Sequence, residues 1–228
     1  EIVLCDWSSD VCSSDLKLGQ LKLIFLPTIV LLVGGSIGLV TLPWMLTIQG
    51  FIGSLVASAT HFSPLPMGII LGMAFAAFIV SPLSSVGIAT AINLAGVGAG
   101  TANAGIVAGA LTLAWMSATV NPIGGTIAHV IGSPKIKMAN LLKKPLLFVP
   151  VILAAGITGG VATLADIQGT PFSAGFGASG LIGPLTAWQV SGHDGLIWRI
   201  SLAYVAAPVL TAWLMTVVFV KKTHLITP

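Results

Sequence analysis

Between Leu23 and Pro134 the chain carries no lysine, arginine, aspartate or glutamate. A soluble domain covers its surface with charged side chains, and this stretch has none to offer. Charged residues are 7% of the whole chain and its mean hydropathy is +1.05, so the sequence describes a polytopic membrane protein. Catalytic signatures are equally scarce: there is no phosphate loop, Rossmann fingerprint, HExxH pair or G-x-S-x-G elbow.

The first residues are of a different kind. Asp6 to Leu16 reads DWSSDVCSSDL, the translation of a common sequencing-library adapter, so residues 1–16 are expected to be a non-native segment and are set apart from fold reasoning. The remaining 17–228 form one membrane-embedded domain, and a reading frame that opens inside an adapter implies that the native N-terminus is missing. Both cysteines, Cys5 and Cys12, lie in the excluded segment, which leaves no disulfide, thiolate nucleophile or cysteine metal ligand. No cofactor and no metal site is expected. Glu1, Asp6, Asp10 and Asp15 go as well, leaving Asp166 and Asp194 as the only acids against nine basic residues, a net charge of +7. In so apolar a chain that excess marks membrane loops and does not point to nucleic acid.

What the chain does contain is long apolar runs. Leu23–Leu42 is about the 20 residues a bilayer requires and is expected to end at Pro43. Thr47–Thr60 then reads as a short tilted span or an interfacial helix. Met67–Val80 begins another span, where Ser81-Pro82 predicts a kink whose freed carbonyl a nearby hydroxyl can satisfy. Ala95–Ala110 is almost entirely small residues, with Gly96/Gly100 and Gly105/Gly109 at the spacing that lets helix backbones touch. Asn93 and Asn103 stand out there, because an amide in apolar surroundings needs a partner. Lys135, Lys137, Lys143 and Lys144 follow, four lysines within ten residues and a cytoplasmic loop under the positive-inside rule. Pro145–Leu164 crosses outward and Leu196–Val220 crosses back. The N-terminal half leaves parity open: either Thr47–Thr60 crosses, or a re-entrant element lies near Ser81–Gly100.

The segment Asp166–Trp188, DIQGTPFSAGFGASGLIGPLTAW, is apolar enough for a bilayer and too broken to cross as one helix. Non-helical backbone at membrane depth is tolerated where protein buries it or where it lines a wet cavity. The fold expected is therefore all-α, a polytopic transmembrane helical bundle with Gly/Pro-broken helices and a re-entrant hairpin facing a substrate path.

Few ionisable groups remain at membrane depth, and each is a functional candidate by default. His129, in GGTIAHVIGSP, is either a proton acceptor and substrate contact or a structural histidine. Asp166 is either at the hairpin mouth or a helix cap. His61 and the pair His193-Asp194 read as turn residues. Directed donors and acceptors are dense in two places, Asn121 to His129 and Gly169 to Ser173. The candidate binding residues are Asn121, Thr126, Asp166, Thr170 and Ser173, with His129 the candidate catalytic group and the two segments expected to meet.

Three stretches, SPLSSVGIATAINLAGVGAGTANAGIV, GSPKIKMANLLKKPLLFVPVILAAGITGGVATL and IQGTPFSAGFGASGLIGP, resemble the membrane component IIC of the phosphoenolpyruvate-dependent sugar phosphotransferase system, in the branch that includes perfringolysin regulatory proteins. The resemblance implies a homodimeric permease in a bacterial plasma membrane, acting as a sugar phosphotransferase only together with a phosphorylated IIB partner. Better-studied IIC families place a glutamate in a Gly-Ile-Thr-Glu type motif beside the sugar. This chain has GITGG at Gly156–Gly160 and no glutamate beyond residue 16. That departure keeps two alternatives open, a membrane-bound sugar-sensing regulator and an ion-coupled secondary transporter.

Overall fold

The computed structural model describes residues 22–60, 63–118, 124, 132, 134–191 and 196–222. The chain falls into two units, residues 1–48 and 49–228, each described by itself. No strand forms among the described residues, and the protein is all-α.

Helix α1, Lys22–Ala59, begins in the first unit and ends in the second. It corrects the expectation that Pro43 ends a first span before a separate Thr47–Thr60 element. A proline removes one rung of the hydrogen-bond ladder, but the helix continues through Pro43, and Thr47, a residue able to cap a new element, turns its hydroxyl back to the helix. The Thr41 hydroxyl donates to the Ile37 carbonyl at 3.0 Å and that of Thr47 to the Pro43 carbonyl at 2.9 Å, so the polar side chains along this apolar helix are satisfied by its own backbone.

In the second unit, α2 is Pro64–Ile79, with prolines in its first turn where a missing N–H costs nothing. Pro82 then does more than kink the chain. It leaves the Phe78 carbonyl without its ordinary partner, the Ser81 hydroxyl donates to that oxygen at 2.8 Å, and Ser84 caps a new helix by accepting from Gly87 N–H at 3.1 Å. The result is a separate short helix α3, Ser85–Ala91, followed by a turn with Asn93 at φ 51°. The long helix α4, Gly96–Ser117, runs through the centre and is buried along nearly its whole length. A 3₁₀ turn at Pro134–Lys137 leads into α5, Met138–Lys143, whose Leu141 joins the core. Helix α6, Phe148–Leu164, follows, then the broken segment and α7, Ile182–Val190. The last span runs through α8, Leu196–Ser201, a π-helical stretch Leu202–Ala206, α9, Ala207–Thr216, and a second π-helical stretch Val217–Lys222.

Helices α2, α6 and α9 pack around α4. Small residues bring them together: a methyl group built on Gly105 would stand 2.5 Å from the Gly72 Cα, and one on Gly72 would stand 2.6 Å from the Ala155 carbonyl oxygen. Backbones that close exclude any side chain at the crossing, which is how helices associate where water supplies no hydrophobic drive. Across the α6/α9 contact the buried hydroxyls of Thr158 and Thr211 lie 3.2 Å apart, and Thr211 also donates to the Ala207 carbonyl. The stretches Thr28–Ser58, Gly96–Ser117, Pro145–Leu164 and Leu196–Val220 are each long and apolar enough to cross a bilayer.

Candidate functional site

The broken segment returns on itself. Gln168 N–H near its start donates to the Ser191 hydroxyl at its end, 2.9 Å away. The incoming limb is irregular, with 3₁₀ turns at Ser173–Gly175 and Ser179–Leu181, and the return limb is α7. Such a limb has few side chains to bury, so its backbone groups must find partners. Gly96 and Gly169 exchange both N–H···O=C bonds, at 3.0 and 2.9 Å. The Ser85 hydroxyl donates to the Gly175 carbonyl at 2.9 Å, and Gly177 N–H donates to Asn103 Oδ1 at 3.0 Å. Gly177 sits at φ +61°, a conformation costly for any side chain, which turns its N–H onto the amide.

Thr170 and Ser173 form a reciprocal cap around Pro171. Thr170 N–H donates to Ser173 Oγ at 3.0 Å, Ser173 N–H to Thr170 Oγ1 at 3.3 Å, and the Ser173 hydroxyl to the Thr170 carbonyl at 3.0 Å. Ser173 is thereby saturated and buried. Thr170 is half-buried and keeps its O–H for another acceptor. Asp166, at φ 48° after the end of α6, turns its half-exposed carboxylate to Arg199, with Nη2 to Oδ2 at 3.3 Å. Arg199 Nε also donates to the Ala165 carbonyl at 2.6 Å, so the pair closes the C-terminal end of α6 where a cation is favoured.

Deeper lie two groups. Asn103 is fully buried, its Nδ2 reaching Ser173 Oγ only at 3.5 Å. Tyr204, 6% exposed, is set against the Asn103 amide, yet its Oη has no hydrogen-bond partner of acceptable geometry. Local sequence explains its placement: Pro208 has no N–H for the Tyr204 carbonyl four residues back, and the helix widens into the π stretch around Tyr204.

Of the sequence candidates, Asn121, Thr126 and His129 lie outside the described residues, as do His61, His193 and Asp194. Elsewhere in the hairpin the Ser179 hydroxyl donates to the Gly132 carbonyl at 2.5 Å. Just beyond, Lys135 Nζ donates to the Leu83 carbonyl at 2.8 Å, and partial burial lowers its pKa from the ordinary lysine value. Asn103 was legible in the sequence as an amide needing a partner, and Tyr204 was not. The signals available for it were that it is the chain's single tyrosine and that a proline stands four residues later. Among the described residues no three His, Cys, Asp or Glu side chains come together in a way that could hold a metal ion.

A bundle built on small-residue contacts, with a hydroxyl-rich hairpin folded into it and helices long and apolar enough to cross a bilayer, defines a membrane protein. The family described as "Phosphotransferase system, EIIC" matches residues 12–228, and the chain belongs to it. No curated protein and no solved structure matches the chain.

Proposed function

We propose that the protein is the IIC component through which a sugar crosses a bacterial plasma membrane and that a phosphorylated IIB partner phosphorylates it there, the protein acting as a homodimer. The observation that carries this reading is the family match over residues 12–228, and the Ser179–Gly132 hydrogen bond bears on its local arrangement. This bond ties the hairpin holding Thr170 and Ser173 to a chain position three residues after His129 and three before Lys135. That position is near in sequence to His129, the proton acceptor of this reading, and to the lysine segment that serves as its basic partner face.

In this reading Thr170 offers its free hydroxyl to the sugar, Ser173 holds Thr170 in place, and Asn121 and Thr126 supply further hydrogen bonds to it. Asp166 borders the mouth of the site. His129 accepts the proton of the hydroxyl that attacks the phosphoryl group as it leaves IIB, and the rest of the step is positioning and charge stabilisation. Lysines of the 135–144 segment dock IIB. One observation favours the regulatory alternative: beyond residue 16 there is no glutamate, and one of the two aspartates is engaged by an arginine.

The test is the chemical state of labelled sugar recovered inside vesicles carrying the protein and a phosphorylated IIB. Sugar phosphate supports the proposal. Sugar bound without accumulation or phosphorylation supports the regulator, and unmodified sugar accumulating on an ion gradient supports secondary transport.

A further inference from the structure

The groups running inward from the hairpin form a line. Thr170 is bonded to Ser173, Ser173 Oγ faces Asn103 Nδ2 at 3.5 Å, and the Asn103 amide faces Tyr204. Around the inner end stand Ala104, Val107, Ala187 and Ala203, which offer no polar side chain. Asn103 uses Oδ1 on Gly177, but its two amide hydrogens share one contact at the limit of hydrogen-bond length. Tyr204 Oη, although beside the Asn103 amide, makes no hydrogen bond of acceptable geometry, and its O–H has no acceptor. A phenylalanine would fill the same space without burying an unpaired hydroxyl, so the hydroxyl's energetic cost is not recovered within the protein.

We propose that Asn103 and Tyr204 bind hydroxyl groups of the sugar, and that Tyr204 is a specificity-determining residue of the site. This rests on the reading of the protein as a sugar-binding IIC component. A ligand hydroxyl arriving beside Ser173 displaces the weakest link of the line, the 3.5 Å contact. It then meets a donor in Asn103 Nδ2 and both a donor and an acceptor in Tyr204 Oη. A site built to bond a hydroxyl strongly rejects an analogue that lacks it, because the protein groups are then left unpaired again. Tyr204 therefore selects for the presence of one hydroxyl on the sugar, whereas Thr170 contributes at the outer end.

A single tyrosine makes the test direct, since 3-fluorotyrosine incorporation gives one ¹⁹F resonance. The full chain in nanodiscs is titrated with D-glucose, D-galactose, D-mannose, N-acetyl-D-glucosamine and D-mannitol, following ¹⁹F shift and binding of the radiolabelled compound, for parent and Tyr204→Phe. The expected result is a resonance that moves with the sugar that binds, a loss of affinity of about tenfold in Tyr204→Phe, and an apparent melting temperature in the variant equal to or above that of the parent. One monodeoxy form of that sugar should bind the parent poorly and bind Tyr204→Phe no worse than the intact sugar does. If the parent binds a sugar while the resonance stays fixed and Tyr204→Phe binds equally well, this inference is wrong and the sugar reading stands. A Tyr204→Phe protein that melts several degrees lower shows that the hydroxyl makes a structural bond, and also overturns it. Should the folded parent bind none of the five, the sugar reading fails and this proposal falls with it.

Discussion

Replacing Gly105 with alanine adds one methyl group at the point where α4 crosses α2. That methyl would lie 2.5 Å from both the Cα and the carbonyl oxygen of Gly72, about 1 Å inside ordinary van der Waals contact. These neighbours are backbone atoms, so no flexible side chain can move aside. The helices must separate, and Gly72 cannot retreat freely because a methyl on it would already meet the Ala155 carbonyl oxygen at 2.6 Å. Overpacking of this kind costs about 1–3 kcal/mol. For a chain of this size each kcal/mol moves the melting temperature by roughly 2–4 °C, so Gly105→Ala should melt several degrees below the parent, and Gly105→Leu further below. Heating detergent-solubilised protein and measuring the monodisperse fraction by size-exclusion chromatography provides the assay. Gly34→Ala is the control, since a methyl there meets nothing within 4 Å and alanine is the better helix former. A Gly105→Ala protein that melts with the parent would refute the close approach of the two backbones. Leucine variants that melt normally yet bind no sugar would move Gly105 from packing into the site.

The other predictions concern the site and its surroundings. His129→Ala should lower sugar phosphorylation much more than sugar binding, while Thr170→Ala should weaken binding; parental phosphorylation by the His129 variant would remove the proton-acceptor role. Asp166→Asn should change stability by no more than about 1 kcal/mol, because the ion pair is half-exposed, whereas Arg199→Met should cost about 1–3 kcal/mol by freeing the Ala165 and Asp166 carbonyls. If Asp166→Asn loses sugar binding at unchanged melting temperature, Asp166 belongs to the site and is more than a helix terminus. Lys135–Lys144 should be cytoplasmic and Gly192–Gly195 on the other side. An impermeant thiol reagent on intact cells should label a cysteine at Gly192 but none at Ser133, and the reverse pattern would reject the topology.

Three prolines show how much of the fold could be read from the sequence. All three lie in apolar stretches, and the chain responds differently at each. Pro82 is followed by Ser84, a side chain able to cap a new helix, and the chain breaks there. Pro43 is followed by apolar residues, Thr47 turns its hydroxyl back to the helix, and α1 runs on. Pro208 lies where the helix is packed against α4 and α6, and the lost bond is absorbed by the π stretch. Helix content, the hairpin and the small-residue contacts follow from local composition. What a proline does depends on the groups that can capture the freed carbonyl, and at Pro208 these are the helix's own, in a π stretch.

The site divides in the same way. Thr170 and Ser173 could be found from their density in a broken segment, and Asn103 from the need of a buried amide for a partner. Tyr204 could not, because a tyrosine in an apolar run ordinarily places its hydroxyl at the membrane interface. Here it is buried, within the π-helical stretch. This difference governs which variant is informative. Asn103 holds Gly177 N–H, so its removal orphans a backbone group of the hairpin and lowers stability and binding together. Ser173 has the same defect, being bonded to both the N–H and the carbonyl of Thr170. The Tyr204 hydroxyl makes no hydrogen bond of acceptable geometry, so deleting it separates recognition of a ligand from the integrity of the hairpin.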